Sequence, residues 1–345
     1  MIAVNSRFLT QRITGVQRFA LEISKALTEL RDDLVFLSPR GVMFPELAHK
    51  LNVQSFGRLK GHLWEQLELP VKLREMGSPL LLNLANTAPL FYTNQIVTIH
   101  DLAVFRFPES FSKAFSTFYK FLLPRIARNS RMVLTVSEFS KGEIVNLLGI
   151  PDEKIHVIYN AVSENIKCQP VPLEKKEKFI LTVSSLDPRK NLENLVRAFT
   201  SSNLKGYKLK IAGAESRVFS KVAFEVKSPD VEFLGYQRDD ELSRLYERAS
   251  LFVYPSLYEG FGIPPLEAMK CGTPVIVSRA ASLPEVCGDA ALYVGTDVES
   301  IKEGMERVLS DKSLMEELIR RGYRRVKGFS WKKSADKLNR LLDTL

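Results

Sequence analysis

Short apolar runs alternate with segments of helical period along most of the chain. "IAVN", "LVFLS", "PLLLNLA", "QIVTIHD", "RMVLTVS" and "KIHVIYN" are bounded by polar or turn residues, as strands buried on both faces should be. Helices are predicted between them near residues 15–30, 62–75 and 111–128 and from about 140. The pattern lapses in "SENIKCQPVPLEKKEK", polar and proline-bearing, which reads as a linker over 164–178. It restarts with "KFILTVSS", a helix at 191–200, "YKLKIAG" and "VEFLGY". A helix at 239–249, "LFVYPS", a helix after Pro265, "PVIVS" and "ALYVG" follow. Strand and helix in repetition imply parallel sheets covered on both faces. The predicted fold class is therefore α/β, with two doubly wound domains over 1–163 and 179–328 and a terminal helix at 329–345.

A chain of 345 residues is comfortable for two such domains. Its start, "MIAVNSRFLTQR", lacks a basic-then-apolar leader pattern, and no apolar stretch is long enough to span a bilayer. Cys168, Cys271 and Cys287 are odd in number and form no CxxC pair, so they are expected as reduced thiols in a cytoplasmic protein. The net charge of +9 invites nucleic acid or anionic lipid. Its distribution disfavours nucleic acid, because it concentrates in two separate stretches, 106–131 and 320–345. In the first, Phe111, Phe115, Phe118 and Leu122 recur at helical spacing among Lys113, Lys120 and Arg125. Two readings stand: a helix lying on an anionic membrane, or a core-packed helix with a solvated basic face.

Ligands of open parallel sheets bind beyond the carboxyl ends of the strands. "YEGFGIPPLEAMKCGTPV" occupies such a place, after "LFVYPS". Pro265 suits the first position of a helix about two turns long, and Gly272 suits its C-terminal cap. The helix N-terminus carries free N–H groups and about half a positive charge. Gly260 and Gly262 let a ligand approach the backbone, which makes an anion site with phosphate as the expected anion. Glu267, expected in the first turn, and Glu259, on the preceding loop, are placed to accept hydrogen bonds from hydroxyls. Phosphate between two hydroxyl-binding carboxylates describes a nucleotide sugar; the alternative is a solvated loop residue and a helix-start charge. Arg189 and Lys190, after a strand in "VSSLDPRKN", would meet the same diphosphate, or else be surface charges. His100 and Asp101 end a strand of the first domain, where a histidine either faces ligand or caps the strand.

With these residues in view, the chain resembles the retaining glycosyltransferases of family 4. "EGFGIPPLEAMKCGTPVIVS" matches their E-x7-E motif. Further matches are "NSRFLTQRITGVQRF", "HLWEQLELP", "VTIHDLAVFRFPE", "LTVSEFSKGEI", "VIYNAV", "VSSLDPRKNLENLVRAF", "SRAASLPEVCGDAALYV" and "FSWKKSA", so that the likeness covers essentially the whole length. It is similar to the branch that adds mannose or related hexoses to bacterial surface polysaccharides. The resemblance implies the GT-B architecture: two Rossmann-like domains facing across a deep cleft, with the C-terminal helix crossing back to the first. It implies that Arg189 and Lys190 clamp the donor diphosphate, with Ser185 beside them. Glu267 would bind the ribose and Glu259 the transferred sugar, near the backbone of Gly260, Phe261, Gly262 and Ile263. His100 would contact the sugar, Gly15 the donor phosphate, and Arg18, Trp64 and Asp101 the acceptor. The chain departs from the family at Asn160-Ala161, where Asn-Gly is frequent, and at Thr14-Gly15, where a glycine pair is frequent.

No Asp-x-Asp, HExxH, GxxxxGK or clustered metal-ligand motif occurs, so no cofactor or divalent ion is expected. Arg189, Lys190 and the helix N-terminus would then carry the departing charge. The expected donor is GDP-mannose and the expected acceptor a lipid-linked glycan, at the inner face of the plasma membrane. The alternatives are a hydrolysing sugar-nucleotide epimerase and a non-catalytic sugar-nucleotide-binding relative. A nicotinamide dehydrogenase is disfavoured, since no GxGxxG follows a strand.

Overall fold

Thirteen strands of the computed structural model, which describes residues 1–169, 171–213 and 228–345, form two parallel sheets. The chain divides into two units, Met1–Asn160 with Ser330–Leu345, and Ala161–Phe329.

In the first unit the strands are β1 (Ile2–Asn5), β2 (Leu34–Pro39), β3 (Gln54–Phe56), β4 (Leu80–Asn83), β5 (Gln95–Thr98), β6 (Met132–Thr135) and β7 (Ile155–Val157). Their order in the sheet is β3-β2-β1-β4-β5-β6-β7, so the order reverses between β1 and β4. Every residue of β1, β5 and β6 is buried, as a sheet covered on both faces requires. The Gly15–Thr28 helix buries Phe19, Ala20, Ile23 and Leu27, spaced at helical intervals. The Glu138–Leu148 helix starts at Ser137, whose hydroxyl accepts the Ser140 N–H at 3.0 Å, a cap worth about 1 kcal/mol. It stops at Gly149, which takes a left-handed φ of 63°.

The terminal helix, Trp331–Leu342, packs on the Gly15–Thr28 helix, with Trp331 6.1 Å from Phe19 between ring centres. Arg31 donates to Asn339 at 3.0 Å, and Ser334 donates to the Tyr159 carbonyl at 2.7 Å. These contacts replace what a helix of twelve residues lacks on its own, since most helical stability comes from packing.

The second unit contains β8 (Glu177–Val183), β9 (Lys208–Ala212), β10 (Val231–Gly235), β11 (Ala249–Tyr254), β12 (Val275–Ser278) and β13 (Leu292–Val294). The order is β10-β9-β8-β11-β12-β13, with its reversal between β8 and β11. The Leu192–Thr200, Val298–Ser310 and Lys312–Val326 helices cover one core with Ile180, Leu251, Val253 and Ile276.

The stretch expected as a linker over 164–178 is bonded into the second unit; Pro170 within it lies outside the described residues. Asn165 donates to Asp239 at 3.2 Å, and the Lys167 N–H donates to Ser243 at 3.2 Å. Cys168 is joined to Cys271 by a disulfide, and β8 already begins at Glu177. This corrects the expectation of three reduced thiols. The bonds from Asn165 and Lys167 hold the stretch along the Asp239–Arg248 helix, and the Cα atoms of Cys168 and Cys271 are 5.1 Å apart, within disulfide reach. Cys287 alone is a free thiol, buried, its pKa pushed up to about 12 by burial although nearby Arg325 opposes the shift.

Candidate active site

The reversal of strand order between β8 and β11 brings two loops together at the carboxyl ends of adjacent parallel strands. One is 184–191, the other 255–262. The chain ties them by backbone: the Leu257 N–H donates to the Arg189 carbonyl at 2.7 Å. Asn191, in the left-handed region at φ 57°, donates to the Pro255 carbonyl at 3.2 Å and to Thr296 at 2.7 Å. Asparagine is one of the few residues that tolerates that conformation. Asp187 accepts the Arg189 N–H at 3.0 Å and starts the short turn Pro188–Lys190.

This scaffold places Lys190 against Glu259. The ammonium lies 2.6 Å from the carboxylate and 3.3 Å from the Tyr254 hydroxyl. Burial pulls the Lys190 pKa down, but Glu259 and Tyr254 outweigh it and leave the net shift upward, so the ammonium is charged at neutral pH. Arg189 does not stand beside it as a second open cation. Its guanidinium is held by Asp187, with Nε 3.0 Å from both carboxylate oxygens. The expected clamp is thus divided: Lys190 is in the carboxylate cluster, and Arg189 is engaged with its own turn.

Beyond Glu259 the loop is braced from inside. The Ser282 hydroxyl lies 3.0 Å from the Glu259 carbonyl and 2.9 Å from that of Phe261. Phe261 is buried edge-on to Phe329, with ring centres 5.5 Å apart. Gly262 has φ 91°, and a Cβ there would stand 2.7 Å from the Leu283 side chain. Glycine is therefore required by the backbone and by packing, rather than by ligand approach alone.

The helix that follows runs Ile263–Lys270, starting two residues before Pro265. Pro264 and Pro265 occupy the first turn, where N–H groups have no helical partner. Glu267 consequently falls in the second turn, not the first. It is half-buried and accepts a hydrogen bond of 2.8 Å from the buried Tyr246 hydroxyl. The other end of the helix matches expectation, with Gly272 left-handed at φ 70° just past Cys271. Ser185 lies in the 184–191 loop beside Ser184, whose hydroxyl donates to its carbonyl at 2.8 Å.

In the first unit, Gly15 opens its helix after Thr14, and Arg18 sits one turn in, 4.0 Å from Glu22. Asp101 is committed to its own backbone, accepting the Ala103 N–H at 2.9 Å. His100 is only 5% exposed, edge-on to Phe19 at 4.9 Å between ring centres, with Nε2 3.1 Å from the Leu84 carbonyl. Burial lowers its pKa against the weaker pull of Leu84 and Asp101, so the ring is neutral at pH 7. Nε2 then carries the proton and donates it to Leu84. Trp64, expected at the acceptor, is instead fully buried; it packs on Phe56 and donates Nε1–H to the Phe56 carbonyl at 3.2 Å. Its ring fills the core with Leu69, Leu73 and Leu81, which removes it from acceptor contact.

Next to Trp64 the sequence reading overlooked a charged cluster. Glu65, fully buried, accepts from Asn5 at 2.9 Å, Arg7 at 3.1 Å and Thr87 at 3.1 Å. Burial alone would raise its pKa, but Arg7 and His62 together bring it below the ordinary carboxylate range. The cluster joins the ends of β1 and β4, where the first sheet reverses its order. Arg7 was legible as a residue just after a strand; Glu65 reads as one more charge on a helix.

Two loops at a reversal point, a lysine–glutamate pair, a helix N-terminus and a second glutamate make this the candidate ligand site of a doubly wound α/β protein. Comparison with known proteins narrows the class. Residues 13–165 match the family model "Glycosyltransferase Family 4", and residues 164–325 match "Glycosyl transferases group 1". The chain is 31% identical to O-antigen chain mannosyltransferase B of Escherichia coli, over 92% of this chain and 93% of that one. It is 32% identical to O-antigen chain mannosyltransferase RfbU of Salmonella typhimurium, over 86% and 87%. Among solved structures, HepE of Anabaena, in complex with UDP and glucose, superposes with a TM-score of 0.79 at 18% identity, over 100% and 99% of the two chains. The chain belongs to glycosyltransferase family 4, has the GT-B fold, and is a glycosyltransferase.

Proposed function

We propose that the protein transfers a hexose, mannose from GDP-mannose, with retention of configuration to a hydroxyl of a lipid-linked glycan, in the assembly of a bacterial surface polysaccharide. The observation that carries this reading is Lys190 held 2.6 Å from Glu259 at the head of the Ile263–Lys270 helix, in a chain whose relatives are O-antigen mannosyltransferases. The donor diphosphate would meet Lys190 and the N–H groups of Phe261, Gly262 and Ile263, since Pro264 and Pro265 have none to offer. Glu259 would then be released to the hydroxyls of the transferred sugar, and Glu267 would take those of the ribose. Positive charge fixed beside the leaving diphosphate would stabilise its departure, and the departing phosphate oxygen would take the acceptor's proton on the same face. Roles for His100, Gly15 and Arg18 rest on the family resemblance alone.

No described helix is long and apolar enough to cross a membrane. Contact with a lipid-linked acceptor at the inner face of the membrane would fall to the Lys113–Asn129 helix. Phe115, Phe118 and Phe121 are exposed there, with Lys120 and Arg125 among them. Leu122, expected on the aromatic face, is buried in the core, and Phe111 is half-buried and stacked on Phe115. His62, 5.1 Å from Phe118 between ring centres, brings exposed Leu63 and Leu67 alongside. The reading is tested by incubating the enzyme with GDP-mannose, UDP-glucose and other sugar nucleotides plus a lipid-linked acceptor, with and without EDTA. Transfer from GDP-mannose, unchanged by EDTA and giving the α-anomer by NMR, is expected. An inverted product or a strict divalent-ion requirement refutes it. Flotation with anionic but not neutral vesicles, lost at high salt, is the expected outcome for the membrane contact.

A further inference from the structure

The glutamate pair is supported by a pair of buried tyrosines. Tyr254 ends β11 and lies at hydrogen-bonding distance from Lys190, within the cluster already described. Tyr246 lies elsewhere. It sits on the Asp239–Arg248 helix, outside both loops and outside the E-x7-E stretch. Its ring is fully buried against Phe252, with centres 5.5 Å apart, and its backbone carbonyl accepts the Thr273 hydroxyl just past the Ile263–Lys270 helix. Phe252 therefore fixes the ring, and Thr273 fixes the backbone that carries it. Its hydroxyl ends 2.8 Å from Glu267 Oε2.

A glutamate in a helix has three side-chain torsions, and nothing in its backbone chooses the outward-reaching rotamer. A buried phenol that donates to one carboxylate oxygen removes that freedom before any ligand arrives. A carboxylate has about four lone-pair positions, and Tyr246 occupies one. The donor also has a fixed protonation state: burial first, then the neighbouring Glu267, push the Tyr246 pKa well above its ordinary value. A neutral phenol next to a carboxylate can only be the donor.

We propose that Tyr246 is a positioning residue, which holds Glu267 in the orientation that reads the nucleotide's ribose hydroxyls. This rests on the assignment of Glu267 to the ribose, made above. Tyr246 does not touch the nucleotide; it acts through Glu267, and Tyr246→Phe removes the hydroxyl while keeping the ring that packs on Phe252.

The test is a ratio of affinities measured on each variant. Dissociation constants are determined by calorimetry for GDP and for UDP, each beside its 2′,3′-dideoxy counterpart. The wild-type protein should prefer the ribose forms. Glu267→Ala should bring the preference close to unity, whereas Lys190→Ala should weaken both forms and leave the ratio as it was. Tyr246→Phe should reduce the preference by about 3-fold to 10-fold, the equivalent of one hydrogen bond. It should also raise the donor KM more than it lowers kcat. Tyr246→Phe/Glu267→Ala should match Glu267→Ala alone. A general loss of stability affects both nucleotides of a pair alike and cancels in the ratio. If Glu267→Ala keeps the wild-type preference, or the wild type has none, the ribose assignment is wrong. If Glu267→Ala abolishes the preference while Tyr246→Phe preserves it, the assignment stands and the positioning role is refuted.

Discussion

Replacing Lys190 by alanine should have two effects that separate from each other. In the folded protein Lys190 and Glu259 are 17% and 11% exposed, with their charged atoms 2.6 Å apart. At about 4 Å and an effective dielectric of about 20, two unit charges attract by about 4 kcal/mol, and desolvation of both groups cancels much of that. The pair itself therefore adds little stability. Removing one member is different, because Glu259 would keep its desolvation cost without a counter-charge. Lys190→Ala should lose about 3 kcal/mol of stability. Donor affinity should fall independently, by at least about 2 kcal/mol or roughly 30-fold, through loss of a charge-assisted contact with the diphosphate. The double variant Lys190→Ala/Glu259→Ala separates the two. It should recover most of the stability, since no orphan carboxylate remains, yet bind donor no better than Lys190→Ala. Urea denaturation and calorimetric titration with GDP measure the two quantities on the same preparations. If the double variant regained donor affinity along with stability, Lys190 would serve only to neutralise Glu259 and the diphosphate would lie elsewhere. Full affinity in Lys190→Ala would refute the site outright.

Three further outcomes follow from other parts of the molecule. Gly262→Ala should cost about 1–2 kcal/mol for its left-handed backbone, and donor affinity should fall with it, because the N–H groups of Phe261–Ile263 move as a unit; unaltered urea midpoint and affinity would contradict the strain. Protein denatured without reductant should present one reactive thiol, Cys287, and three after reduction; three without reductant would show that Cys168 and Cys271 are not bonded. The folded pKa of Glu65 lies below its ordinary value, so its contribution is complete above the unfolded pKa of about 4.5 and is lost as pH falls through the lower folded value. Glu65→Gln should thus be less stable than wild type at pH 7 and lose less stability on acidification below pH 4.5, as acid denaturation followed by circular dichroism would report.

What the chain made legible depended on how local the determining physics is. Buried parallel strands announce themselves as apolar runs, and of the described strands all but one are legible from their apolar residues, β9 and β10 despite charged positions within them. The exception, β3, has three residues, two of them exposed, and carries no apolar run to detect. The glycine-and-glutamate stretch was legible because its conformational demands are consecutive: Gly262 at φ 91°, two prolines in a first turn, a left-handed Gly272. The Cys168–Cys271 bond, closing 103 residues, has no local trace. The Lys190–Glu259 pair, 69 residues apart in the chain, has none either.

The aromatic helix shows the limit most plainly. Phe115 and Leu122 stand seven residues apart, two turns along the same side of one helix. Period alone therefore gives them the same fate, yet Leu122 is 2% exposed and Phe115 41%. Periodicity says which residues share a face; only the tertiary neighbours say where cover for that face ends. Leu122 lies over the core with Leu123 and Ile126, while the first turns of the helix run past that cover. Trp64 is the converse case. The family resemblance implies acceptor contact for this polar-tipped aromatic, but its indole N–H meets the Phe56 carbonyl inside the core. The neighbouring Glu65 carries the polarity instead, through bonds to Asn5, Arg7 and Thr87 contributed by separate parts of the chain. In both places a residue's chemistry was visible in the sequence, and the surroundings that decide whether it faces ligand or core were supplied by segments distant along the chain.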